Sequence, residues 1–528
     1  MNRALTGAFV RSVRSIHSHI LRHRVPSPQC CAVLNKRLSS SSSSAATSTS
    51  TAPSAESPQP QRPARTWSTP IAKTIGDVIE ATGPISVHTY MRHCLTAENG
   101  GYYTSHGEEG SGTEVFGKKG DFVTSPEISQ MFGELLGIWT VAEWMSQGRP
   151  NKGVQLVEIG PGKGTLMADL LRSVRNFKSF ASSVDAVYLV EASPVLRDIQ
   201  RKTLCGDAPL VETENGHKST SSHLGVPIHW VEHIKLIPEA EQQTPFIFAH
   251  EFFDALPIHA FQTVQPPPPQ TSQQPNTIMT PTGPAEIKSP MPPSPTQQNT
   301  PQWREFVVAL NPIEEIEPGK EGKDLEFRLS LSPSMTPNSL VLPEASERYR
   351  ALKKTVGSTI EVCPEGQVYS QEIARMIGGP FKSTDRKPSG AALIIDYGTA
   401  DTVPINSLRG ISKHKRVSPF ATPGLTDLSA DVDFTALAEA AIDGSPGVEV
   451  YGPVDQGVFL ETLGIRERAE QIQRKLKEDD ERKKSIETGW KRLVETGGGG
   501  MGRIYKAMAI VPESGGKRRP IGFGGSLL

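Results

Sequence analysis

Val154-Gln155-Leu156-Val157-Glu158-Ile159-Gly160-Pro161-Gly162-Lys163-Gly164-Thr165 sets a short β-branched run against three glycines at alternate positions. The run predicts a buried parallel strand over 154–160, and Leu166 to Arg172 predicts the helix that follows it. Alternate glycines let the backbone turn tightly and let a ligand approach without meeting a Cβ. A dinucleotide fingerprint would place its third glycine five residues after the first, where this chain has Thr165. A Walker A loop would need Gly-Lys-Ser/Thr after four intervening residues, and that pattern is absent here. The remaining motif, Glu-x-Gly-x-Gly-x-Gly, reads either as a cofactor loop or as a plain glycine-rich turn between strand and helix.

The surrounding chain alternates in the same way. Strands are predicted at 185–191, 227–231, 245–250 and 391–397, with helical stretches between several of them. That order predicts an α/β fold with a doubly wound, mostly parallel sheet. A last strand, Tyr505 to Val511, follows the Gly497–Gly500 hinge. Ahead of the glycine loop, 71–94 and 125–145 read as helices, so that 67–150 forms an N-terminal helical cover. In the second helix Ile128, Met131, Phe132, Leu135, Leu136, Trp139 and Ala142 share one face, with Ser125 as N-cap and Pro126 at the first helical position. Residues 264–302, rich in Pro, Gln and Thr, read as a disordered insertion. The segments flanking it, 258–263 and 303–310, can pair as strands. The charged stretch 466–495 reads as a solvated helix with i,i+4 ion pairs.

Of the 528 residues, the first 66 differ in kind from the rest. They hold nine Lys and Arg, no acid before Glu56, and a Ser/Thr/Ala run from Ser39 to Thr51. Phe9, Val13, Ile16 and Ile20 fall at helical spacing among arginines. A basic, serine-rich, acid-poor start predicts a mitochondrial transit peptide followed by a linker; a disordered basic tail is the plainer alternative. The domain reading is therefore 1–66 as leader and 67–528 as the folded unit. Without the leader, 47 Lys and Arg stand against 56 Asp and Glu, a net charge of −9. Such a balance argues against nonspecific nucleic-acid binding. No run reaches the roughly 18–20 apolar residues of a membrane span. Five scattered cysteines without CxxC spacing, and no HExxH, point to neither a disulfide framework nor a metal site.

Three acids stand where chemistry would be done. Glu191 ends the second strand, and a carboxylate beyond a strand end accepts ribose hydroxyls in Rossmann-like sheets; its alternative is a surface Glu at a helix start. Glu251 and Asp254, in His250-Glu251-Phe252-Phe253-Asp254-Ala255-Leu256-Pro257, leave the fourth strand and can face one cavity. Paired carboxylates suit a guanidinium, whose planar fork matches their geometry. The alternatives are a turn cap for Asp254 and a backbone bond for Glu251. Asp427, Asp431 and Asp433 read as caps and turns rather than metal ligands.

Gly101-Tyr102-Tyr103, the segment FGKKGDFVTSPEISQMFGELLGIW over 116–139, the Glu158 loop, the 250–257 segment, Ile395-Asp396-Tyr397-Gly398 and PGLTDLSADVDF over 423–434 occur in this order. Together, over roughly 71–512, they resemble the MidA-like family, whose mitochondrial members are protein arginine methyltransferases acting in assembly of respiratory complex I. The resemblance implies a class I methyltransferase fold, Rossmann-like with a β insertion. S-adenosyl-L-methionine would be held at Glu158, Gly160, Gly162, Gly164 and Glu191, with Glu251 and Asp254 catalytic. It further implies symmetric dimethylation of an arginine on a complex I core subunit in the matrix. The 264–302 insertion and an expansion over Glu108–Glu114 depart from the family without interrupting a motif. A noncatalytic assembly chaperone that binds the cofactor to hold its fold is the competing reading. An NAD oxidoreductase is disfavoured by the third-glycine position. Intact glycines and acids favour the enzyme.

Overall fold

The structure, a computed structural model, describes residues 65–105, 123–238, 242–266, 277–280, 283–286, 300–313, 325–379, 387–477 and 480–525. Residues 1–64 of the expected leader, the Glu108–Glu114 expansion and most of the 264–302 insertion lie outside these. Within the insertion, Thr277–Thr280 and Gly283–Glu286 pair as an antiparallel hairpin.

Two helices open the described chain, α1 (Pro70–Thr82) and α2 (Val87–Thr96). The single helix expected over 71–94 is broken because Gly83 takes φ +85° and Pro84 follows. The Ser86 side chain then caps α2 by accepting from Thr89 N–H. The helix expected over 125–145 is also two, Ser125–Ile128 and α3 (Gln130–Ser146). Ser129 is extended, and its hydroxyl caps α3 at Met131 N–H. Thr124, not Ser125, is the N-cap of the short first helix.

Next come β1 (Val154–Ile159), α4 (Thr165–Val174), β2 (Val184–Val190), α5 (Pro194–Cys205), β3 (Pro227–Val231) and β4 (Thr244–His250). A side sheet follows, in which β5 (His259–Val264) pairs antiparallel with β6 (Gln302–Leu310) across the insertion, Gln302 opposite Val264. Ile85–Ser86 and Phe327–Leu331 also pair with β6, and Thr359–Val362 pairs with β5. This side sheet is the β insertion the family resemblance implies. The chain then runs through α6 (Pro364–Gly378), β7 (Ala391–Thr399), α7 (Phe434–Gly444), β8 (Val448–Asp455), α8 (Ile465–Gln473), α9 (Glu481–Val494) and β9 (Tyr505–Pro512).

The main sheet is ordered β8-β9-β7-β4-β1-β2-β3 and continues into Gly216–Thr220 and Val211–Thr213. The run β7-β4-β1-β2-β3 is parallel. Antiparallel pairing is confined to β9, between β7 and β8, and to the two short strands beyond β3. Both faces are covered, which is why these strands read as continuous apolar runs. Leu156, Phe246, Phe248, Leu393 and Ala507 pack on the α3/α4 side, while Val157, Ile247, Ala249, Ile394 and Met508 pack on the α6/α7 side.

Helix α3 is buried nearly all round rather than on one face; Glu134, Thr140 and Glu143 are buried along with Trp139. Glu134 is bridged by Arg172 at 3.2 Å and Arg468 at 2.9 Å. Gly133 and Gly137 bring α3 tightly onto α4, since a Cβ at 133 would lie 2.7 Å from Asp169 Cβ and one at 137 only 2.2 Å from Ser173 Oγ. The stretch 466–495 carries the expected i,i+4 pairs, Glu470–Arg474 and Glu487–Lys491. It is not merely solvated, however: Ala469, Trp490, Leu493 and Val494 enter the α3-side core. Among the described residues no helix is long and apolar enough to cross a membrane.

Candidate active site

After β1 the chain builds β2 and β3 on one side and then returns to place β4 on the other. The order therefore reverses between β1 and β4, and ligands of open α/β sheets bind beyond the carboxyl ends of strands at that point. The loop 160–164 lies there. Gly160, Gly162 and Gly164 take φ of +66°, +51° and +80°, values that side chains rarely adopt. Gly160 N–H donates to Val190 O, and Gly164 N–H closes the turn onto Pro161 O at 2.7 Å. A Cβ at Gly160 would stand 2.9 Å from the Phe252 ring.

Glu158 is buried, and burial pushes its pKa up to about 8 against the pull of Met167 N–H. Its Oε2 has no hydrogen-bond partner among the described residues. Glu191, just past β2, accepts from Ser193 N–H at 2.8 Å and from Gln200 Nε2 at 2.9 Å. Burial raises its pKa to about 7. The Gln200 amide also donates to Gly162 O at 2.7 Å, and its oxygen accepts Trp230 Nε1–H at 2.9 Å. One side chain from α5 thus ties the glycine turn, the ribose-acceptor candidate and β3 together. Sequence reasoning missed Gln200, although it lies nine residues after Glu191 and one helical turn before Leu204.

The second half of the site lies beyond β4. Glu251 leaves the strand in the left-handed region, φ +50°, its N–H on Ile395 O at 3.1 Å. A non-glycine residue held there stores strain of order 1–3 kcal/mol. Its Oε1 accepts the Tyr505 hydroxyl at 2.8 Å, and Ser125 N–H is a second donor. Burial, then the Asp254 charge, pushes Glu251 up to about 8. His250 Nε2 lies 3.6 Å away, too far for a hydrogen bond. Burial drives His250 down to about 3, so it is neutral and the contact is no ion pair. Asp254 is buried and raised to about 6 by desolvation, partly offset by Arg409. Arg409 itself pairs with Asp431 at 2.6 Å and stacks 5.2 Å over Tyr397.

Asp396 holds the turn. Its Oδ2 accepts from the N–H groups of Phe252 (3.1 Å), Phe253 (2.8 Å) and Asp254 (3.3 Å), while Oδ1 accepts from Tyr397 N–H. Burial and the Asp254 charge raise its pKa all the same. A cleft of about 880 Å³ opens beside this half, lined by Tyr397, Arg409, Arg416, Asp431, Arg503 and Lys506. Glu251 and Asp254 do not line it; Tyr397, whose ring lies 4.1 Å from that of Tyr505, does. Of the aspartates over 427–433, expected as caps and turns, Asp433 is a helix cap, whereas Asp427 and Asp431 meet side chains from elsewhere in the chain. Asp427 accepts Tyr103 O–H, Asp431 pairs with Arg409, and Asp433 caps Ala436 N–H. No group of three or more His, Cys, Asp or Glu able to hold a metal occurs among the described residues.

The predicted residues thus form two groups on adjoining strand ends, Glu158, Gly160, Gly162, Gly164 and Glu191 in one, Glu251 and Asp254 in the other. The first group fits S-adenosylmethionine: a turn without Cβ atoms, a buried carboxylate with an unmet oxygen, and an acid at the end of β2. Residues 135–454 match the family described as "Putative S-adenosyl-L-methionine-dependent methyltransferase". The mitochondrial protein arginine methyltransferase NDUFAF7 of Xenopus tropicalis is 36% identical over 440 residues, covering 83% of this chain and 84% of that protein. The protein of the same name from Homo sapiens is 33% identical over 456 residues, 85% of each chain. In fold, the chain is similar to a crystallised superfamily member from Burkholderia thailandensis bound to S-adenosyl-homocysteine. The TM-score is 0.56 at 21% identity, over 87% of this chain and 94% of that one.

Proposed function

This chain belongs to the MidA-like family of S-adenosylmethionine-dependent methyltransferases, and from that premise we propose that it is a protein arginine methyltransferase of the mitochondrial matrix. The observation that carries the acceptor assignment is the pair of acids following β4 beside the cofactor loop, Asp254 buried and Glu251 with its side chain 11% exposed. S-adenosylmethionine, held by Gly160, Gly162, Gly164, Glu158 and Glu191, supplies an electrophilic methyl group on a sulfonium. Transfer to nitrogen is a displacement that depends mostly on alignment and exclusion of water. Glu251 and Asp254 supply the alignment. A guanidinium keeps its charge at neutral pH, so its arrival favours the ionised form of Glu251, which burial and the Asp254 charge otherwise push up to about 8. The carboxylate then orients the fork and takes a proton once the nitrogen has gained its methyl.

The acceptor we infer is an arginine on a core subunit of complex I, with one methyl on each terminal nitrogen. The family resemblance, the mitochondrial names of the relatives and the basic leader support that reading. The test is transfer from methyl-labelled cofactor to protein in a mitochondrial extract from cells lacking this chain, followed by mass spectrometry. Label on symmetric dimethylarginine of a complex I subunit is expected. No label, with assembly rescued equally by a Glu251→Gln chain, would establish the chaperone instead.

A further inference from the structure

Among the described residues, the charged groups that act most on Glu251 are acids, with Lys163 held 3.9 Å from one of them, Glu127. Asp254 and Glu127 raise its pKa, and Asp396 shares its repulsion. His250 is neutral, while Arg409 acts on Asp254 and Tyr397 instead. The groups that favour its charged form are two uncharged donors, Tyr505 O–H and Ser125 N–H. Tyr505 comes from β9, the antiparallel strand, 254 positions along the chain. It stands opposite Tyr397 in the β7–β9 register and is 1% exposed. Glu251, just past β4, meets that phenol from β9 although β7 lies between the two strands. Tyr397 packs its ring 4.1 Å from the Tyr505 ring, shares a side-chain hydrogen bond with that phenol, and lines the cleft.

We propose that Tyr505 is the positioning residue of the transfer site: its hydroxyl fixes the plane of the Glu251 carboxylate and holds it ready for an incoming guanidinium, with Tyr397 bracing the ring. This rests on the acceptor-side role given to Glu251 above. A planar fork binds a carboxylate well only in a set plane, and one hydrogen bond to an oxygen restricts that plane. The same bond favours the anion. Its loss therefore raises the pKa of Glu251 and moves the acid limb of activity to higher pH.

The experiment is a pH–rate profile of wild-type, Tyr505→Phe and Glu251→Gln chains, with labelled S-adenosylmethionine and the knockout mitochondrial extract as acceptor. Tyr505→Phe is expected to lose about tenfold in rate near pH 7, equivalent to ~1.4 kcal/mol. It should recover toward wild type above the shifted limb, with KM for the cofactor within about twofold. 3-Fluorotyrosine at 505, a more acidic and stronger donor, should move the limb the opposite way without a change in volume large enough to disturb packing. An unmoved limb in both chains, or an equal loss at every pH, overturns the proposal while leaving Glu251 in place. Full turnover by Glu251→Gln overturns the acceptor role itself, and the proposal with it.

Discussion

The two halves of the site solve one problem, a buried carboxylate, in different ways. On the cofactor side, Glu191 is tied to a neighbour nine positions away, and Gln200 links it to the turn only 38 positions back. On the transfer side, Glu251 depends on Ser125, Tyr505 and a turn built on Asp396, contributed by segments spread from 125 to 505. The first half is local and nearly complete, lacking one partner for Glu158 Oε2. The second is assembled by the whole sheet and carries strain and like charge. A ready-made cofactor cradle beside a costly acceptor site is the arrangement expected where the acceptor's own positive charge offsets the cost.

The comparison breaks most severely at the glycine turn. Gly162→Val puts a β-branched residue at φ +51° and should weaken S-adenosylmethionine binding by about 100-fold or more, ~2.7 kcal/mol; calorimetric titration measures it. Unchanged affinity would remove the turn from the site. Asp254→Asn should separate the halves, with transfer falling roughly tenfold and cofactor affinity staying within a factor of two. Equal losses in both would mean that the halves are not distinct. Gln200→Ala leaves the buried Trp230 N–H and a Glu191 oxygen unsatisfied, at a cost of about 1–3 kcal/mol. A lower melting temperature and several-fold weaker cofactor binding should follow together; a drop in melting temperature alone would assign Gln200 to structure.

The smallest effect sharpens the cofactor half. Glu158 is raised from 4.5 to about 8 in the fold. Its neutral form is therefore the one the fold favours, with the benefit complete below pH 4.5 and lost as pH rises through 8. The cofactor-free wild type should match Glu158→Gln near pH 5 and melt on the order of 1–3 °C below it near pH 9. A variant melting lower at pH 9 would mean that the carboxylate is stabilised as the anion.

The local half was legible for the same physical reason that it is local. The strand expected over 154–160 is Val154–Ile159, and that expected over 185–191 is Val184–Val190. Glu191 then falls where the chain leaves the sheet. On the transfer side, the strand over 245–250 placed Glu251 and Asp254 at its exit, but their partners left no local mark. Tyr505 reads only as the start of a strand; Asp396-Tyr397-Gly398 reads as the end of the fifth strand, able to line the pocket, with nothing to mark Asp396 as the acceptor for the 252–254 turn. Ser125 reads as a cap because Pro and Glu follow it, whereas in the fold its N–H is a donor to Glu251. Strand β8, interrupted by Gly452-Pro453, gave too weak an alternation to be seen. In α9 the abundance of charge hid Trp490, Leu493 and Val494, whose i, i+3, i+4 spacing marks a buried face.

The most direct test of the account pairs two readings on one chain, Glu251→Gln: calorimetric binding of S-adenosylmethionine, with NAD as control, and methyl transfer to the knockout extract. Binding of S-adenosylmethionine alone, close to the wild-type affinity, with transfer reduced at least 100-fold, ~2.7 kcal/mol, is the result predicted. Wild-type transfer by this variant, or binding lost together with transfer, would contradict the division into a cofactor half and an acceptor half.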